Sequence, residues 1–123
     1  MKTVGILGAS NKKGRYSRMA QEILMEKGYD VVPISIKDGD ILGLKSYKSI
    51  SDVPQEIDTL TVYVSPKNLM PYLEEITRSG IRRVIFNPGT ESESIKKQIE
   101  ESGKLVVEAC TIVMLKTGQF NKP

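Results

Sequence analysis

Val4-Gly5-Ile6-Leu7-Gly8-Ala9-Ser10-Asn11-Lys12-Lys13-Gly14-Arg15-Tyr16-Ser17 is an apolar run that passes straight into a turn of small residues and then into a helical pattern. Gly8, Ala9 and Ser10 leave room for a ligand's oxygens to approach the backbone. The N–H groups that open the following helix carry the positive end of its dipole. This is the pattern of a phosphate-binding entry. The glycines at 5, 8 and 14 do not spell Gly-x-Gly-x-x-Gly, and the lysine-serine pair of a P-loop is missing. A tight turn that needs glycine only for its geometry is therefore the competing reading of these residues.

On either side of this stretch the chain alternates between two periodicities. Lys2 to Leu7 reads as a buried strand, and Arg15 to Lys27 as a helix with Met19, Ile23 and Leu24 on one apolar stripe, capped by Ser10 or Ser17 and stopped by Gly28. Tyr29 to Ile36 is a second strand, which Pro33 places at an edge or a bulge. Lys37 to Ser51 reads as loop, and Asp58 to Val64 as a third strand. Ser65-Pro66-Lys67 breaks that strand. Leu69, Met70, Leu73 and Ile76 then have the spacing of an amphipathic helix ending at Gly80. Arg82 to Phe86, the turn Asn87-Pro88-Gly89-Thr90, a helix over Glu91 to Ser102, a strand over Lys104 to Glu108 and a helix over Thr111 to Thr117 complete the series.

Strands and helices joined by short turns imply an α/β fold, a Rossmann-like three-layer sandwich with a mostly parallel five-stranded sheet. In such sheets ligands bind beyond the carboxyl ends of the strands, where the winding reverses. The relevant turns are Gly8 to Ser17, Ile36 to Gly39, Ser65 to Lys67 and Asn87 to Thr90. The length of 123 residues suits one domain, assigned to 1–120, with 121–123 as a frayed tail.

Composition narrows the chemistry. The chain has no histidine and one cysteine, which removes Ser-His-Asp triads, Cys-His dyads, the usual metal clusters and an internal disulfide. The net charge is +3, with Lys, Arg, Asp and Glu interleaved, so a basic ligand pocket is expected rather than a nucleic-acid face. No apolar run approaches the roughly 18 residues of a membrane span, and a cytoplasmic location is expected. Glu91, Glu93, Glu100 and Glu101 read as a solvated helix surface, and Cys110, with apolar residues after it, as core.

The second strand runs into Ile36-Lys37, where an NAD site would place an acid for the ribose hydroxyls. Asp38 follows one position later. Lys37 suits a ribose that carries a phosphate, as in NADP or coenzyme A.

Gly8-Ala9-Ser10, Arg15-Tyr16-Ser17, Gly28-Tyr29-Asp30-Val31-Val32-Pro33, Asp58 and Asn87-Pro88-Gly89 resemble the small stand-alone CoA-binding proteins, relatives of the CoA-binding domain of succinyl-CoA synthetase. The resemblance spans about Lys2 to Cys110. It implies that Gly8, Ala9 and Ser10 face the CoA phosphates with Arg15, Tyr16 and Ser17. By the same resemblance Ile36 and Lys37 sit at the adenosine end, Val64, Ser65 and Pro66 run along the nucleotide and pantetheine, and Asn87, Pro88 and Gly89 meet the pantetheine side. The implied ligand is coenzyme A or an acyl-CoA, held without catalysis. The synthetase's phosphorylated histidine has no counterpart in this chain. The alternatives are an NADP- or NAD-dependent oxidoreductase and a nucleotide-sensing interaction module that offers Thr111 to Leu115 to a protein partner the sequence does not identify. A cysteine near a thiol ligand also leaves a mixed disulfide with CoA open. If Gly8 serves ligand approach, Gly8→Val blocks binding and leaves the domain folded.

Overall fold

In the computed structural model, which describes residues 2–37 and 39–122, five apolar runs pair into one sheet. Its strands are β1 (Thr3–Leu7), β2 (Asp30–Ile34), β3 (Thr59–Val62), β4 (Arg83–Phe86) and β5 (Leu105–Glu108). Their order is β2-β1-β3-β4-β5 and every pairing is parallel, so the expected mostly parallel sheet is entirely so. Met1, Pro123 and Asp38, the alternative ribose-binding residue, lie outside the described residues.

Parallel strands need crossovers, and the helices that supply them cover both faces. Val4, Ile6, Val31 and Ile85 pack under α1 (Tyr16–Glu26) and α5 (Thr111–Lys116), joined by Phe120. On the other face Leu7, Val32, Leu60, Val62 and Phe86 meet residues of α2 (Pro66–Leu69), α3 (Leu73–Arg78) and α4 (Glu93–Glu101). Period-two alternation within each strand divides the side chains between these two cores. Pro33 lies on edge strand β2, as expected. Its neighbour Ile34 turns its carbonyl inward to Gly8 and Ala9, so the missing proline N–H falls on the outer side, where the Pro33 carbonyl accepts from Tyr47.

Four local expectations change. First, α1 buries Ser17, Ala20, Gln21 and Leu24, while Met19 is 39% exposed. Small side chains let the helix lie close to the sheet, and Gln21 is accepted because its amide donates to the Ile41 carbonyl (3.1 Å). Neither Ser10 nor Ser17 caps this helix: its N-cap is Arg15, with no side-chain hydrogen bond. Second, Pro71 splits the expected helix after β3 into α2, a 3-10 turn at Met70–Tyr72 and α3. The split turns Met70 out to solvent and Tyr72 in. Ser79, not Gly80, ends α3, its hydroxyl donating to the Ile76 carbonyl (2.7 Å).

Third, the stretch read as loop is tied to the fold. Tyr47 bridges to the outer edge of β2, and a 3-10 turn at Ile50–Asp52 follows. Fourth, the tail is held at Asn121 and Lys122. The buried Arg83 guanidinium donates to the carbonyls of Phe120 (2.8 Å) and Lys122 (3.2 Å), and the Tyr29 hydroxyl donates to Asn121. Thr111 to Leu115 packs on the core with only Val113 exposed, which removes the apolar patch on which the interaction-module alternative drew.

Candidate functional site

The chain leaves β1 for β2 on one side, then returns for β3 on the other. The winding therefore reverses between β1 and β3. At the carboxyl ends of these two strands lies a cavity of about 1200 Å³. Gly8, Ala9 and Ser10 line it after β1, Ile36 and Lys37 after β2, Val64 and Ser65 after β3, and Pro88 after β4. Arg15, Tyr16 and Ser17 bring the start of α1 to the same wall.

The geometry assigns these residues different work. The N–H groups of Gly8 and Ala9 both donate to the Ile34 carbonyl (2.9 and 3.2 Å), so they pin the turn to β2 and are not free donors. Ser10 accepts from the N–H of Lys12 (3.0 Å), which tightens the turn. The first turn of α1, which lines the cavity, has no side-chain cap, and a helix cannot satisfy its first N–H groups from within. Gly8 has φ +91°, and a Cβ there would stand 2.8 Å from Val64 Cγ1 and 3.0 Å from the Tyr63 carbonyl oxygen. Gly8 is thus required by close packing as well as by conformation. Gly8→Val strains the fold itself and cannot serve as a clean binding probe.

Pro66, Asn87 and Gly89 do not line the cavity. Asn87 is buried: its amide donates to Thr61 Oγ1 (2.7 Å) and the Val62 carbonyl (2.9 Å), and its carbonyl accepts from the N–H of Thr111 (2.8 Å). Gly89 donates its N–H to the Glu91 carboxylate (2.7 Å). Pro66 opens α2 at a position where no N–H is needed. Cys110 is half-buried as the N-cap of α5.

Sequence reasoning missed Lys48, Asn68, Tyr72 and Glu75, which also line the cavity. Lys48 reaches it because Tyr47 bridges in parallel to Ile34, the last residue of β2, so the next residue comes out at the carboxyl end of the sheet. The signal was Ile41, Leu44, Tyr47 and Ile50 at three-residue spacing, apolar anchors within an apparent loop, the first two in one core and the last two in the other. Glu75 accepts from the Ser49 hydroxyl (2.6 Å) and the Ile50 N–H (2.8 Å), and the Tyr72 hydroxyl donates to the Lys48 carbonyl (3.1 Å). Burial raises the Tyr72 phenol above its usual range, and the Glu75 carboxylate adds to the shift.

Tyr63, on the floor, is pushed up to about 12 by burial. The Thr61 and Thr111 hydroxyls partly offset this, but they are bonded to each other (2.7 Å), and among the described residues no hydrogen-bond partner reaches the phenol. The wall carries four cations, Lys12, Arg15, Lys37 and Lys48, against the single carboxylate of Glu75 among the described residues. Tyr16, 69% exposed, and Ile36, 78% exposed, give the rim two apolar surfaces. A long polyanion with an apolar end fits such a surface.

An all-parallel sheet with its crevice at the winding reversal defines a Rossmann-like protein of the nucleotide-binding type. The family model described as "CoA binding domain" matches residues 2–116, and the chain belongs to that family.

The chain is 30% identical to the alpha subunit of acetate–CoA ligase [ADP-forming] I of Pyrococcus furiosus, over 84% of this chain and 25% of that subunit. It thus spans about a quarter of that relative. It is 23% identical to the uncharacterized protein YneT of Bacillus subtilis, over 86% of this chain and 78% of that one. A crystal structure of an uncharacterized protein superposes with a TM-score of 0.90 at 37% identity, covering 98% of both chains. A hypothetical protein from Pyrococcus horikoshii gives a TM-score of 0.89 at 32% identity, over 94% of this chain and 82% of that one.

Proposed function

We propose that this domain binds coenzyme A or an acyl-CoA in the crevice between β1 and β3 and does not itself catalyse a reaction. The observation that carries the reading is the cationic cavity of about 1200 Å³ at the winding reversal of a chain that belongs to a CoA-binding family. The pyrophosphate lies against Ser10 and the opening of α1, with Arg15, Tyr16 and Ser17. Ile36 packs on the adenosine and Lys37 meets its phosphorylated ribose. Val64, Ser65 and Pro88 follow the pantetheine. Pro66, Asn87 and Gly89 stabilise the turns of the fold and do not touch the ligand.

The absence of catalysis is supported by the lack of histidine and by Glu75, whose carboxylate is occupied with Ser49 and Ile50. The ligand is a small nucleotide, with neither nucleic acid nor membrane as partner, and the setting is cytoplasmic. No helix among the described residues is long and apolar enough to cross a membrane. Resemblance to a ligase subunit favours a second reading, in which the domain delivers CoA within a larger ligase assembly. Incubated alone with acetate, CoA and ATP, the chain is then expected to release no ADP.

Titration calorimetry of ligand-stripped protein with CoA, acetyl-CoA, NADP and NAD tests the main reading. Saturable binding of the CoA species, with NADP and NAD weaker by tenfold or more, is expected. Preference for NADP or NAD, or binding of none, overturns it.

A further inference from the structure

Residues Ile41 to Leu44, in the excursion after β2, close a two-residue turn. Ile41 and Leu44 exchange both backbone hydrogen bonds (2.8 and 3.0 Å), with Leu42 at φ +49° and Gly43 at φ +80°. These are the dihedrals of a primed hairpin turn, which a leucine rarely adopts. Ile41 is 5% exposed and lines the cavity, so the turn is one of its walls.

The turn is gripped from outside by two amides. Asn11, within the phosphate turn, donates from Nδ2 to the Asp40 carbonyl (2.8 Å) and accepts at Oδ1 from the Leu42 N–H (2.8 Å). Gln21 of α1 donates to the Ile41 carbonyl between them (3.1 Å). Three consecutive residues of the wall are therefore bonded to the elements that carry Ser10, Arg15 and Ser17. The grip of Asn11 uses a donor and an acceptor on separate atoms of one short side chain, which its amide supplies.

We propose that Asn11 is a positioning residue that couples the phosphate turn to the wall at 40–44. Ligand oxygens that draw residues 10–12 into one conformation thereby order the wall, and an ordered wall in turn favours the binding conformation of the turn. The coupling is reciprocal. It rests on the reading of this crevice as a CoA site, whereas the grip itself does not.

The test is residue-resolved amide exchange on the full chain, wild type and Asn11→Ala, with and without saturating CoA, alongside calorimetry. Asn11 is exposed, so the variant is expected to fold. Without ligand, the Leu42 amide should exchange at least tenfold faster in the variant, because its bond is to that side chain. With CoA, the Leu44 amide, which has no bond to Asn11, should slow at least threefold in wild type and stay unchanged in the variant. CoA affinity should fall several-fold. Unchanged Leu42 exchange overturns the grip, and equal slowing of Leu44 in both proteins overturns the coupling. Asn11→Asp, which keeps the acceptor and loses the donor, should fall between. A wild type that binds no CoA overturns the proposed function and the coupling with it.

Discussion

Gly8 and Gly14 occupy almost the same backbone conformation, at φ +91° and +87°, yet their surroundings differ completely. A Cβ at Gly8 would lie 2.8 Å from Val64 Cγ1 and 3.0 Å from the Tyr63 carbonyl oxygen, whereas a Cβ at Gly14 meets nothing within 4 Å. Substituting alanine at each separates conformation from contact. Both variants bear the left-handed penalty of about 1–2 kcal/mol. Both recover about 0.4–1 kcal/mol through the stiffer unfolded chain. Gly14→Ala should thus cost roughly 1 kcal/mol. At Gly8 the valine methyl can yield, but the Tyr63 backbone is tied to β1 by its N–H on the Leu7 carbonyl (2.9 Å), so overpacking adds about 1–3 kcal/mol. The total there is roughly 2–4 kcal/mol. For a domain of this size about 4 °C of Tm corresponds to 1 kcal/mol. Thermal unfolding should show a fall of about 4 °C for Gly14→Ala and about 8–16 °C for Gly8→Ala. Urea titrations should give the same ranking with unchanged slopes. Equal losses at the two positions would refute the packing argument and restore Gly8 as a glycine kept for ligand access alone.

Asp58 lies at the opposite end of β3. Burial would raise its carboxyl, but hydrogen bonds from Arg82 (3.0 and 3.2 Å) and Thr59 (2.8 Å), with the Arg82 charge, outweigh burial and hold it below the usual aspartate value. A depressed folded pKa gives stability that is present above the unfolded value and is lost as pH falls through the folded one. Asp58→Asn should therefore be less stable than wild type at pH 7, with the gap closing below about pH 4; a gap independent of pH contradicts the assignment. Tyr63 behaves in the reverse sense. With its folded pKa near 12 against an ordinary 10.0, its contribution is intact at neutral pH and is lost as pH rises from the lower value toward the higher. Tyr63→Phe removes a buried hydroxyl that has no partner among the described residues, so its Tm should equal or exceed that of wild type and its alkaline loss of stability should be shallower; a lower Tm would refute this. Asn87→Ala breaks three buried hydrogen bonds and should lower stability by about 2–4 kcal/mol, while calorimetry well below its Tm should find CoA affinity within about twofold of wild type.

The sheet was legible because each strand is a short apolar run bounded by Gly or Pro, and each helix has its own period. Val31-Val32-Pro33-Ile34 announces an edge through one residue, and Gly103 and Gly28 stop their helices where the sequence places them. The face of α1 was legible only in part. Of the stripe Met19, Ile23 and Leu24, Leu24 is buried and Ile23 packs against the core, but Met19 turns outward, because the sheet selects the row with the smallest side chains, Ser17 and Ala20, and takes Gln21 because a backbone carbonyl awaits its amide. Nor was the break at Pro71 read, since the spacing of Leu69, Met70, Leu73 and Ile76 mimics an unbroken helix across it. The tail resisted for a different reason. Its partner is a guanidinium on β4, 39 positions away from Lys122, and no local signal reports such a donor.

The candidate site divides along the same line between local and distant causes. Residues adjacent to the carboxyl ends of strands could be placed from the topology rule, and Gly8 to Ser10, Ile36, Lys37, Val64, Ser65 and Pro88 do line the cavity. Asn87 satisfies the same positional rule yet faces the other way, because the start of α5 has a need the sequence conceals. The N-cap of that helix, Cys110, makes no side-chain hydrogen bond, so the Thr111 N–H would be an orphan donor in the interior. The Asn87 carbonyl meets that N–H, and its amide binds Thr61 and Val62 on β3. Three elements are thereby locked beneath the crevice by one side chain. A turn of the form Asn-Pro-Gly is compatible with either role, and only the identity of the neighbouring helix cap decides between them. The floor of the crevice owes its rigidity to a residue that its ligand need never touch.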